Sequence, residues 1–84
     1  MIMDSEWYMN NISDVRLIKR LKAFSMDIAR EMKGDGKGAD SIKEYVGKRF
    51  DEMADILGNR EVDEKQILHI VYTYIDMFLR MKRI

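Results

Sequence analysis

Cysteine and proline are both missing from this 84-residue chain. Without thiols there is no disulfide to staple a fold, no thiolate metal site and no cysteine nucleophile. Without proline, glycine and capping residues must supply all the punctuation between helices. No apolar run approaches the ~18 residues of a membrane span. Met1-Ile2-Met3 gives way at once to Asp4 and Glu6, with no basic stretch ahead of an apolar one, so a secretory leader is not expected. An excess of one charge is lacking too: 15 basic and 15 acidic side chains cancel, which argues against whole-surface attraction to nucleic acid or anionic lipid. The expectation is one small cytoplasmic domain with no membrane contact. Folds of this size often need a disulfide, a metal or a second subunit.

Helical periodicity is present throughout, and strand-like alternation is not. From about Asp14 to Lys33, Leu17, Ile18, Leu21, Phe24, Ile28, Ala29 and Met32 fall within roughly 140° on a helical projection. Asn11 or Ser13 could cap the start, and Lys33-Gly34 reads as the stop, a cation followed by a residue free to take positive φ. A second helix is expected over 41–57. Ser41-Ile42-Lys43-Glu44 has the form of a capping box, and Ile42, Val46, Phe50, Met53 and Leu57 keep the spacing of one buried face. Gly47, mid-helix, suggests close approach of a neighbouring helix, and Leu57-Gly58 closes the element. A third helix is expected over 63–83. Asp63-Glu64-Lys65-Gln66 is a capping box with Asp63 as the cap, and Val62 and Ile67 are placed as a hydrophobic staple. Short connections favour antiparallel neighbours. The fold class expected is all-α, an antiparallel up-down-up three-helix bundle over residues 1–84, to which residues 4–10 could add a short fourth helix.

The last of these segments has more apolar surface than a bundle of this size easily covers. Its apolar side chains sweep through roughly 220°, where a surface helix shows a band a little over ~100° wide. Leu68, Tyr72, Ile75 and Leu79 lie toward one edge of that arc. Burying each contributes about 1.5–3 kcal/mol, so roughly 5–10 kcal/mol is at stake in a domain whose whole stability is roughly 5–15 kcal/mol. The expectation is that this edge meets a second copy, a dimer first of all, or another protein, with Trp7 and Tyr8 joining it. Trp7, the single tryptophan, is also suited to lie as a lid on an open flank of the bundle.

Other candidates are weaker. Gly34-Asp35-Gly36-Lys37-Gly38 is glycine-rich, but a phosphate loop needs GxxxxGK[ST] between a strand and a helix. A calcium loop started at Asp35 would put Asp40 at the turn glycine and Val46 at the closing glutamate, so a mobile connector is expected. His69 has no carboxylate three or four residues away, and no metal or cofactor is expected. Arg49 falls within the apolar face of 41–57, either snorkelling beside Tyr45 with Glu52 three residues on, or serving as an anion or cross-subunit contact. Arg16, Lys19, Arg20 and Arg30 form a basic strip on 14–33, interrupted by Asp27 and Glu31. That strip offers the alternative of a nucleic-acid-associated protein. Residues 14–33 carry net +3, 51–64 net −5 and 65–84 net +3, blocks suited to packing within a bundle or between subunits. Eight methionines, Met77 and Met81 among them, fit core filling or an adaptable binding surface.

In length, and in placing charged residues near the core of an all-helical chain, the sequence resembles the helical chorismate mutases, interlocked dimers of three-helix subunits. Arg49 and Glu52 echo the arginine and glutamate of that family's second helix. The glycine-rich connector cuts the first helix at Lys33, where that family's is continuous, and no site is carried over. The resemblance implies a small helical enzyme only as a remote alternative. The function expected is non-catalytic, that of a protein-interaction module with no small-molecule substrate.

Overall fold

A computed structural model describes residues 15–81 of the chain. Among them all regular structure is helical: α1 Val15–Gly34, a 3-10 turn Ala39–Ser41, α2 Ile42–Lys48, α3 Phe50–Leu57 and α4 Glu64–Arg80. The helices pack as a bundle around one core. The short helix expected at 4–10 lies outside the described residues. No helix among the described residues is long and apolar enough to cross a membrane.

α1 follows its periodicity. Leu17, Leu21, Phe24, Ile28, Ala29 and Met32 are buried on its inner face, and Ser25 joins them. The Ser25 hydroxyl satisfies itself by donating to the Leu21 carbonyl at 2.7 Å, so a polar atom sits in the core at little cost. The helix does not stop at Gly34, which is still helical. Lys37 N–H bonds to Met32 O at 2.8 Å and Gly36 N–H to Lys33 O at 3.1 Å. This is a Schellman closure with Gly36, at φ +70°, as the left-handed residue. The connector expected to be mobile is therefore tied back to the helix, and Tyr45 holds it a second time by donating to Asp35 at 2.6 Å.

The helix expected over 41–57 is two helices. Arg49, at φ −117° and ψ 23°, interrupts it, and its N–H reaches back only three residues to Val46 O at 3.0 Å. The break rotates the register of everything beyond it. Ile56 rather than Leu57 enters the core, Tyr45 is buried beside Val46, and Phe50 is left 37 % exposed. The capping box at Ser41 does not form either. Ser41 ends the 3-10 turn at ψ 2° and its side chain caps nothing, because a capping serine needs extended backbone. Gly47 marks no close approach, since a methyl group built there would meet nothing within 4 Å. Gly58, by contrast, does close α3: it adopts φ +60° and ψ −131°, a region open essentially to glycine alone.

α4 begins where its cap predicts. The Asp63 carboxylate accepts from Lys65 N–H at 2.9 Å, and Val62 packs partly buried against the core that holds Ile67. The helix ends at Arg80, with Met81 in extended conformation. Lys33, at the end of α1, donates its ammonium to the Met81 carbonyl, which joins α1 and α4 at their C-terminal ends.

Candidate protein-interaction surface

α4 buries Ile67, Ile70, Val71, Ile75 and Phe78, a narrower set than its apolar arc. Of the four edge residues singled out from the sequence, Ile75 is fully buried within the one chain and has no surface to offer a partner. On the helical projection it lies about 20° closer to the core centre than Leu68, and the bundle reaches that far. Leu68, Tyr72 and Leu79 are partly buried against the core and keep an outer side in solvent. They share one edge, within about 40° of one another on the helix. Trp7 and Tyr8 lie outside the described residues.

The opposite edge of α4 is barer still. Met77 is 44 % exposed, and Met81, just past the helix end, 45 %. The width of the apolar arc contained this second edge, but the bundle covers the two flanks unequally and only the structure shows which is left open. Met32 and Met53 are core residues at 0 % exposure, whereas Met77 and Met81 face outward.

Arg49 is not a free cation. Its Nη2 lies 2.6 Å from Asp27 Oδ2 and 2.7 Å from Glu52 Oε2, and its Nη1 is 3.7 Å from Glu31 Oε1. The guanidinium also stands over the Phe24 ring, 5.5 Å from its centroid. Partial burial opposes the charge, but the hydrogen bonds and charges of Asp27 and Glu52 outweigh it and hold the group above its ordinary pKa. Three carboxylates surround this one cation, and through them Arg49 joins α1 to α3 within the chain. Glu52 is engaged with that same arginine, the pair that carried the chorismate mutase likeness.

Tyr45 is 4 % exposed. Its hydrogen bond to Asp35, then burial, then the charges of Asp35, Glu31 and Glu44 push its phenol up to about 12. A phenol is neutral below its pKa, so this contact stabilises the fold fully below the ordinary value near 10 and is lost as pH climbs through about 12. Tyrosinate absorbance in an alkaline titration should show one late phenol, and Tyr45→Phe should remove that late step. A variant that removes only an ordinary step near pH 10 would refute the bond.

Lys19, Arg20 and Arg30 stand exposed on the outer face of α1, as does Arg16. His69 is exposed on α4, its carbonyl accepting from the Thr73 hydroxyl at 2.8 Å. Among the described residues no three His, Cys, Asp or Glu side chains are grouped so as to hold a metal ion. No protein-family model, curated protein or solved structure matches the chain.

Proposed function

We propose that the chain is a non-catalytic protein-interaction module that self-associates along the α4 edge formed by Leu68, Tyr72 and Leu79. The observation that carries this reading is that these three side chains, though mostly covered by the core, each keep some surface in solvent on one shared edge after the bundle has closed. An up-down-up course fits the contacts. Tyr45 and Arg49 meet α1 in reverse order, at Asp35 and then at Asp27 and Glu31, while Lys33 and Met81 bring the ends of α1 and α4 together. The α4 edge then runs along one outer side of the bundle.

The magnitude sets the strength of association. Three side chains with at most about a third of their surface left have at most about 1.5–3 kcal/mol still to gain, less than the fully exposed edge expected from the sequence. A two-fold contact counts that gain twice, at most about 3–6 kcal/mol, against an association cost of at least ~4 kcal/mol. The dimer should therefore be weak and concentration-dependent. Light scattering across a dilution series should show a mass rising from one chain toward two, and Leu68→Glu with Leu79→Glu should hold it at one chain while circular dichroism stays helical. A wild-type mass of one chain up to millimolar concentration sinks the proposal.

One observation favours a second reading, nucleic-acid association through α1. The two acids that interrupt its basic strip, Asp27 and Glu31, are paired with Arg49, which offsets part of their negative charge beside Lys19, Arg20 and Arg30. Binding of this kind would be sequence-blind and would weaken steeply with salt. A gel shift across a salt series tests it, and no shift at low salt ends it.

A further inference from the structure

The α4 edge that carries Leu68, Tyr72 and Leu79 is bordered by two opposite charges. On the helical projection Lys65 and Asp76 lie just beyond Tyr72, within about 40° of it on the side away from the core. Lys65 is exposed, and the Asp76 side chain is 39 % exposed. They stand eleven residues apart, three turns and about 16 Å along the helix, the same interval that separates Leu68 from Leu79. Asp76 accepts from Arg80 Nε at 3.0 Å. That pair lies within one helix with the Arg80 side chain 78 % exposed, a setting that contributes little, and a carboxylate keeps further acceptor sites. The border therefore offers a cation near the start of α4 and an anion three turns on.

Resting on the self-association reading, we infer that the second copy lies antiparallel across this edge, Lys65 of each chain facing Asp76 of the other. The two-fold axis then crosses α4 at the level of Ile70 and Val71, midway between the two charges. Because such a contact is isologous, each pairing occurs twice. Leu68 of one chain falls beside Tyr72 of the other. Leu79 reaches Val62, itself partly buried, just ahead of the other chain's helix. Two competing arrangements leave the charges unused. A parallel pair sets Lys65 against Lys65 and Asp76 against Asp76, and like charges across a contact repel. An antiparallel pair with Leu68 on Leu79 places Asp76 opposite Val71, which is buried, and pairs neither charge. The apolar edge supplies the attraction, and the charges select how the two copies are laid on one another.

Charge reversal separates this inference from the reading beneath it. Lys65→Glu puts a carboxylate in the first turn of α4, where the helix dipole favours it, so circular dichroism should stay helical. It turns two attractions into two repulsions, and the dimer dissociation constant at low salt should rise roughly tenfold. Asp76→Lys should do the same. The variant with both changes should return to within about twofold of wild type, and high salt should shrink the differences. The chain has no cysteine of its own, so introduced thiols report geometry. An antiparallel pair holds like positions about 16 Å apart. A bifunctional maleimide shorter than that should join Lys65→Cys chains to Asp76→Cys chains and neither kind to itself. Unchanged dissociation constants for both reversals, with the dimer abolished by Leu68→Glu and Leu79→Glu together, would overturn the inference alone, because the edge then associates in another register. So would Lys65→Cys chains that cross-link to one another as readily as in the mixture, the mark of a parallel pair. A wild type that stays one chain up to millimolar concentration ends both this inference and the reading it rests on.

Discussion

Ile75→Ala should cost about 2–5 kcal/mol of stability, the range for truncating a buried isoleucine, leucine or methionine. Ile75 has no exposed surface, and its removal leaves a cavity between helices whose packing cannot collapse to fill it. Leu68→Ala, one helical edge away and partly solvated, should cost clearly less. In a domain of this size each kcal/mol moves the midpoint by about 4–8 °C, so the two variants should be well separated in thermal melts as well as in urea. The comparison decides where the bundle ends and its outer surface begins. If Ile75→Ala costs no more than Leu68→Ala, and if its cost depends on protein concentration, then Ile75 is covered by a second chain and not by its own.

That boundary is a part of α4 the sequence could not draw. The arc of apolar residues is legible by periodicity, and Asp63 announces the start of the helix as the structure has it. How far around the arc two neighbours reach depends on interhelical angle and distance, which no spacing of residues encodes. Ile75 and Leu79 carry the same apolar signal and differ only in that reach. The break at Arg49 was hidden for a related reason. Ile42, Val46, Phe50, Met53 and Leu57 keep unbroken helical spacing, yet three carboxylates from two helices converge on Arg49, and the backbone turns there. Phe50 and Leu57 then drift outward while Ile56 turns in. At the end of α1, three glycines in five residues each could have supplied the positive φ. The hydrogen-bond register chose Gly36, which local composition could not distinguish from Gly34. The basic strip was legible residue by residue, but the pairing of Asp27 and Glu31 was not, because Arg49 comes from the junction of two other helices.

Arg49→Met should destabilise the chain by about 1–3 kcal/mol. The substitution keeps an apolar stem and removes only the charge and its donors, so it reads the clasp and not the packing. Losing one partner of a fully buried ion pair costs about 3–5 kcal/mol, and exposed pairs contribute about 0–1 kcal/mol. Arg49 lies between these limits, with a side chain 23 % exposed facing carboxylates 48–61 % exposed. Water can solvate Asp27, Glu31 and Glu52 in part once the cation is gone, but their mutual repulsion then falls on the junction of α1 with α3. Arg49→Lys should recover only a fraction, since one ammonium cannot reproduce a planar fork whose two nitrogens meet three carboxylates on two helices. High salt should narrow the gap between wild type and Arg49→Met, because the residual repulsion is screened. A double-mutant cycle with Asp27→Asn isolates the contact across helices, and coupling above about 0.5 kcal/mol is expected for groups sharing one network. If Arg49→Met proves as stable as the wild type at low salt, the three carboxylates gain nothing from the arginine. The break in the 41–57 segment would then have to be attributed to backbone preference around Gly47 and not to the ion cluster.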